Sequence, residues 1–173
     1  MFGLFKKKNP YEQAVHDVYA TALEHTRKKE FYTEYGVPDT FDGRFDLLLV
    51  HIFLVFNRMM KDNEISAADF NQALFDETFK DMDQTLREMG IGDMGIPKHM
   101  RKMMKAFNGR MHSYQFAIKE NTLVFALKNN LYGTVEDIDP AICLKMEQKI
   151  QAMANYLQKQ SVDNIVKGHI EFE

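Results

Sequence analysis

The sequence predicts an all-α, single-domain bundle of six to seven helices, and three observations predict it. Apolar residues recur at three- and four-residue intervals along most of the chain, the pattern of helices with one buried face. Cap residues and prolines stand where helices would begin, and glycines where they would end. The 173 residues, 45% hydrophobic and 27% charged, suit one folded unit that buries about two-thirds of its surface. The expected body spans residues 10–168, between a basic and apolar tail at 1–9 and a C-terminal tail at 169–173. A net charge of −3 gives no global pull toward nucleic acid. The single cysteine, Cys143, excludes an internal disulfide and fits a reducing compartment.

Taken in order, Asn9-Pro10 offers a cap and a proline for the first helix. Tyr11, Val15, Val18, Ala22 and Leu23 form its buried stripe, and Gly36 stops it. The second helix opens in "PDTFDGRFD" (38–46), where Asp39 or Thr40 can cap it. Asp42 and Asp46 favour the positive end of its dipole. It continues to about Lys61 through "LLLVHIFLVF" (47–56), apolar but for His51. Those ten positions rise about 15 Å, half of a ~30 Å hydrocarbon core. Asp46 and Arg58 close them at either side, so the segment reads as a central helix covered by its neighbours.

"SAAD" (66–69) has the spacing of a capping box for a third helix. Phe70, Leu74, Phe79, Met82, Leu86 and Met89 recur along that helix until Gly90, with Asp76–Lys80 and Asp83–Arg87 as expected surface pairs. After the loop "GIGDMG" (90–95), Pro97 opens a fourth helix carrying Met100, Met103, Met104, Phe107, Met111, Tyr114 and Ile118. A shorter helix is expected over 122–131, and Asp139-Pro140 starts a long one to about Gln160. Ser161 begins a last turn. "HIEFE" (169–173) alternates like a strand but has no evident partner, and reads as tail.

Few residues suggest chemistry. His51 is either a buried ligand, as in a b-type haem site, or a neutral core histidine donating a ring proton to a carbonyl or carboxylate. No CxxCH occurs, and no other histidine pairs with His51 by spacing. Glu-x-x-His, HExxH and EF-hand spacings are absent. The acids of "DETFKDMD" (76–83) fall on different helix faces and read as a solvated surface. Cys143 sits in the apolar turn "AICLKM" and reads as core.

Two surface features stand out. Seven of the twelve methionines lie between Met82 and Met111. Methionine fills cores, and it also lines grooves that accept varied apolar segments. Lys98, Arg101, Lys102, Lys105 and Arg110 crowd the helix that carries most of those methionines, and Lys6, Lys7 and Lys8 follow "FGLF". Such charges can be a solvated face, an anchor on an anionic membrane, or a contact with ribosomal RNA.

Two long segments, "YGVPDTFDGRFDLLLVHIFLVFNRM" (35–59) and "LFDETFKDMDQTLREMGIGDMGIPKHMRKMMKAFNGRM" (74–111), resemble the ubiquinol–cytochrome c chaperone family. The matching pattern positions are Pro38, Asp39, Thr40, Phe41, Asp42, Arg44 and His51 in the first part, and Asp81, Arg87, Met89, Gly90, Phe107 and Tyr114 in the second. The resemblance implies a non-enzymatic assembly chaperone for a respiratory-chain membrane protein, expected to be cytochrome b of the bc1 complex, with no cofactor. It also implies work near the ribosomal exit with a small partner protein. The opening "MFGLFKKKNP" lacks a presequence pattern, so a bacterial member is expected, cytoplasmic and peripheral on the inner membrane. The alternatives are a haem-binding carrier using His51 and an uncharacterised enzyme.

Overall fold

The computed structural model describes residues 9–61 and 65–173, with only the backbone of residues 65 and 66. Its axis is helix α3 (Phe41–Met60), in which every residue from Leu47 to Val55 is buried, His51 included. Around it lie α1 (Glu12–Thr26), α4 (Ile65–Glu88), α5 (Ile96–Glu120) and α7 (Pro140–Gln158), all packed against α3. The one-turn α2 (Glu30–Thr33), α6 (Leu123–Asn129) and the one-turn α8 (Val162–Ile165) complete the all-helical bundle. A helix apolar on every face needs neighbours on every side, and α3 has them. Among the described residues no helix is long and apolar enough to cross a membrane.

The start of α3 is built closely. Thr40 Oγ1 accepts the Gly43 N–H at 3.1 Å, so Thr40 and not Asp39 is the cap. The Pro38 carbonyl folds so near this turn that a Cβ on Gly43 would lie 2.1 Å from its oxygen. Glycine is the residue that permits that approach. At the other end, Arg58 reaches across to the last turn of α7. Its Nε donates to the Leu157 carbonyl at 3.2 Å and its second guanidinium nitrogen to the Gln160 carbonyl at 2.9 Å. A cation on those outward-facing carbonyls closes the helix end that has no intrahelical partners.

Several local expectations shift. α1 begins at Glu12, with Asn9 Oδ1 accepting the Tyr11 N–H at 2.9 Å ahead of it. It stops at Thr26, ten residues before Gly36, where the Tyr32 hydroxyl donates to the Thr26 carbonyl at 2.8 Å as the chain turns. Gly36, at φ +64°, ends α2 instead. α4 already includes Ser66, which is therefore not its cap. Lys80 pairs with Glu77 at 3.3 Å and not with Asp76, whose carboxylate takes Gln72 at 2.9 Å. The expected Asp83–Arg87 pair is present at 2.6 Å. Asp139 and Ser161 cap α7 and α8 as the sequence predicts. Residues 169–173 pair with no strand, yet Ile170 and Phe172 are buried against the bundle.

Candidate functional site

Phe41 and Phe45, one turn apart at the start of α3, stand between two clefts. The first, ≈ 610 Å³, has a floor of Leu23, Phe45, Leu48 and Met82 and a rim of Arg27, Lys29, Asp39, Arg44 and Glu88. Arg44 Nε donates to Asp39 Oδ1 at 2.6 Å and its guanidinium lies 5.8 Å over the Tyr32 ring. Asp81 lines the same cleft, half-buried, and accepts the Tyr19 hydroxyl at 2.7 Å. Burial and that carboxylate push the Tyr19 phenol well above its ordinary range.

The second cleft, ≈ 510 Å³, lies between the start of α3, the end of α4 and α5. Leu86, Met89, Ile91, Met103 and Ala106 give it apolar walls, with Asp42 and Lys102 at its edges. A fork from Arg110 to Asp46 crosses it, 2.8 Å from Nε to Oδ1 and 3.3 Å from the terminal nitrogen to Oδ2. Burial pushes the Asp46 carboxyl up from the usual carboxylate range, and the Arg110 fork works against that shift. The two clefts therefore combine apolar floors with rims of both charge signs. Such a surface accepts an apolar segment and orients its polar ends.

The predicted site residues divide between these clefts and elsewhere. Asp39, Phe41, Asp42, Arg44, Asp81, Met89, Met103 and Lys102 gather there. Tyr32, Phe45 and Leu48 join them without having been singled out, because only the crossing of helices brings them to the site; Asp46, read for a helix dipole, and Met82, one of the clustered methionines, lie there too. The expected methionine groove is split: Met103 is 8% exposed and part of the core, Met100 and Met104 are half-buried, and Met89 is 55% exposed. Phe107 belongs to a core cluster with Phe56, Phe75 and Phe79, at centroid distances of 5.9, 5.0 and 5.6 Å. Tyr114 is buried beside Phe53, and its hydroxyl meets no partner among the described residues. Arg87 lies on the surface between Asp83 and Asp93.

Of the basic residues on α5, Lys98, Arg101, Lys102 and Lys105 are exposed along its outer face. Arg110, expected with them, turns inward to Asp46 and is not available as a surface cation. Lys6, Lys7 and Lys8 lie outside the described residues. The acids at 76–83 are not uniformly solvated: Glu77 takes His16 at 2.8 Å and Asp81 takes Tyr19. Cys143 is buried in the core, which raises its thiol.

His51 has a partner that spacing could not show. Its Nδ1 lies 2.9 Å from the Leu47 carbonyl, and its Nε2 lies 2.8 Å from His25 Nδ1. A carbonyl only accepts, so His51 Nδ1 carries the proton and Nε2 accepts the His25 N–H. Both nitrogens are engaged. As the two axial ligands on opposite sides of a haem iron their nitrogens would stand about 4 Å apart, at ~2 Å per bond; at 2.8 Å they hydrogen-bond to each other instead.

The Ubiquinol-cytochrome C chaperone family model matches residues 33–172. The sequence is 26% identical over 148 residues to Protein CBP3, mitochondrial, of Saccharomyces cerevisiae, covering 83% of this chain and 44% of that protein. It is 23% identical over 145 residues to a ubiquinol-cytochrome-c reductase complex assembly factor 1 from Xenopus laevis, covering 83% of this chain and 68% of that one. The chain thus spans less than half the length of the yeast relative. The fold is similar to the crystal structure of the Cbp3 homolog from Brucella abortus, with a TM-score of 0.80, 33% identity, and coverage of 98% and 94% of the two chains. Matched by the family model over most of its length, and similar in fold to that solved relative almost from end to end, this chain belongs to the ubiquinol-cytochrome C chaperone family.

Proposed function

We propose that the chain is an assembly chaperone for a membrane subunit of the ubiquinol–cytochrome c reductase complex, with cytochrome b as its client. The twin clefts flanking Phe41 and Phe45 would hold an apolar client segment until assembly. One observation carries this reading: the family-matching stretches at 35–59 and 74–111, distant in sequence, converge on those two phenylalanines. The clefts supply apolar floors and charged rims, with Arg44 paired to Asp39 in the first and Arg110 to Asp46 in the second. Apolar floors with a few placed polar groups support the reading of a binding surface. The exposed row Lys98, Arg101, Lys102 and Lys105 borders the second cleft through Lys102. It places a cationic face beside the client, suited to peripheral attachment at an anionic membrane where such clients insert.

The test is capture of the client. Phe41→Asp and Met89→Asp put charge on the cleft rims at positions that are half-buried and exposed, so the fold should survive. Each variant should recover severalfold less cytochrome b than the unaltered chain when purified from host membranes in mild detergent. Full recovery by well-folded variants would discard the clefts as the client site. Met103→Asp is the contrasting control: a carboxylate in the core should unfold the chain.

A further inference from the structure

After α8 the chain turns at Gly168, whose φ of +91° favours glycine, and passes so close to α1 that a Cβ there would lie 3.0 Å from Asp17 Oδ2. Residues 169–173 then run extended between α1 and α7. Ile170 and Phe172 face inward, while His169, Glu171 and Glu173 face out. The fastening is unusual. The Glu171 N–H donates to Gln160 Oε1 at 2.9 Å, and the Glu171 carbonyl accepts from Gln160 Nε2 at 2.8 Å. One side-chain amide thus replaces one rung of a strand pairing. The Glu171 carboxylate takes the Tyr156 hydroxyl at 2.8 Å. Among the described residues, 170–173 make no backbone–backbone hydrogen bond.

Beneath this strap lies the histidine pair. The Phe172 ring sits 5.4 Å from that of His25 and 5.1 Å from that of His51. Since His25 Nδ1 donates to His51, His25 Nε2 holds a bare lone pair. It is buried, in a side chain 6% exposed, and has no partner among the described residues. The strap therefore fills the apolar requirement of the groove and leaves its one polar requirement unmet. A cavity of ≈ 610 Å³ opens alongside, lined by Ala20, Thr21, Glu24, Lys28 and Tyr156 together with the strap. An extended segment that placed an N–H against His25 would satisfy the groove better than its resident does.

We infer that residues 169–173 are a displaceable cover, and that the groove between α1 and α7 binds an extended segment of a partner protein with an aliphatic-x-aromatic pattern. His25 Nε2 accepts an N–H from that segment, and Gln160 reads its backbone. Pockets for alternate side chains and hydrogen bonds to the main chain are the usual means of recognising extended peptides. This site is distinct from the clefts at Phe41 and Phe45, and the inference does not rest on the client assignment.

The probe is a labelled peptide with the strap's own sequence, Gly-His-Ile-Glu-Phe-Glu, followed by fluorescence anisotropy on the full chain. The tethered strap competes at high effective concentration, so Ile170→Ala/Phe172→Ala should bind the peptide about tenfold more tightly than the unaltered chain. Replacing the peptide's phenylalanine with alanine should abolish binding. On binding, the nitrogen resonance of His25 Nε2 should shift toward that of a hydrogen-bonded ring nitrogen. Should the double variant not fold, Glu171→Pro removes the N–H given to Gln160 and should show a smaller gain. No gain in either variant overturns the inference. Dimerisation of the unaltered chain that the double variant loses would assign the groove to a second copy's strap, and overturn the partner assignment.

Discussion

His25 and His51 show how a residue's environment sets its charge. Desolvation, with Lys28 and Lys149 nearby, lowers His25 to about 4. Desolvation, opposed by the Leu47 carbonyl and aided by His25 and the same lysines, lowers His51 to about 3. In the unfolded chain both titrate near 6.5. Above that pH neither state binds the protons, and the stability is complete. As pH falls from about 6.5 toward 4, the unfolded chain takes up protons that the folded chain refuses. Stability then falls by up to about 1.4 kcal/mol per pH unit for each histidine, with the slope belonging to the coupled pair. Urea midpoints between pH 7.5 and 5 should show this loss. His25→Leu/His51→Leu removes both partners together and should flatten the profile; an unchanged slope would place the titrating groups elsewhere. His51 was conspicuous in an apolar run, whereas His25 was silent, because a contact between residues 26 apart on two helices leaves no mark in spacing.

At the scale of elements, Arg58 joins α3 to the C-terminal end of α7 and, through the Gln160 carbonyl, to the residue that fastens the strap. Arg58→Met keeps the stem and removes the guanidinium. The expected loss is about 1.5–3 kcal/mol for bonds to a charged donor, measured by chemical denaturation at neutral pH. An unchanged midpoint would mean that water satisfies those carbonyls equally well. The starts of α3, α5, α7 and α8 were legible because their signals are local: Thr40, Asp139 and Ser161 bond to backbone within three residues, and Pro97 and Pro140 sit in first turns. The end of α1 was not. Tyr32 stops that helix from six residues away by donating its hydroxyl proton to the Thr26 carbonyl, and nothing at Thr26 announces it.

For the whole molecule, net charge misleads about surfaces. The chain carries −3, yet α5 presents four cations along one exposed face. Each contributes about 1 kcal/mol at an anionic bilayer. Reversing Lys98, Arg101, Lys102 and Lys105 to Glu should therefore abolish flotation with anionic liposomes at low salt. Flotation equal to that of the unaltered chain would remove this face from any membrane role. Sequence alone determined the helical class, most helix starts, and α3 as the buried axis, since periodicity and capping act within one or two turns. It also carried the resemblance on which the family rests. Only the tertiary structure decided which methionines are open, that Arg110 faces Asp46, and that Phe172 closes over two histidines. Those outcomes depend on which helices meet, and burial of a side chain is a property of its neighbours across the fold, not of its neighbours along the chain.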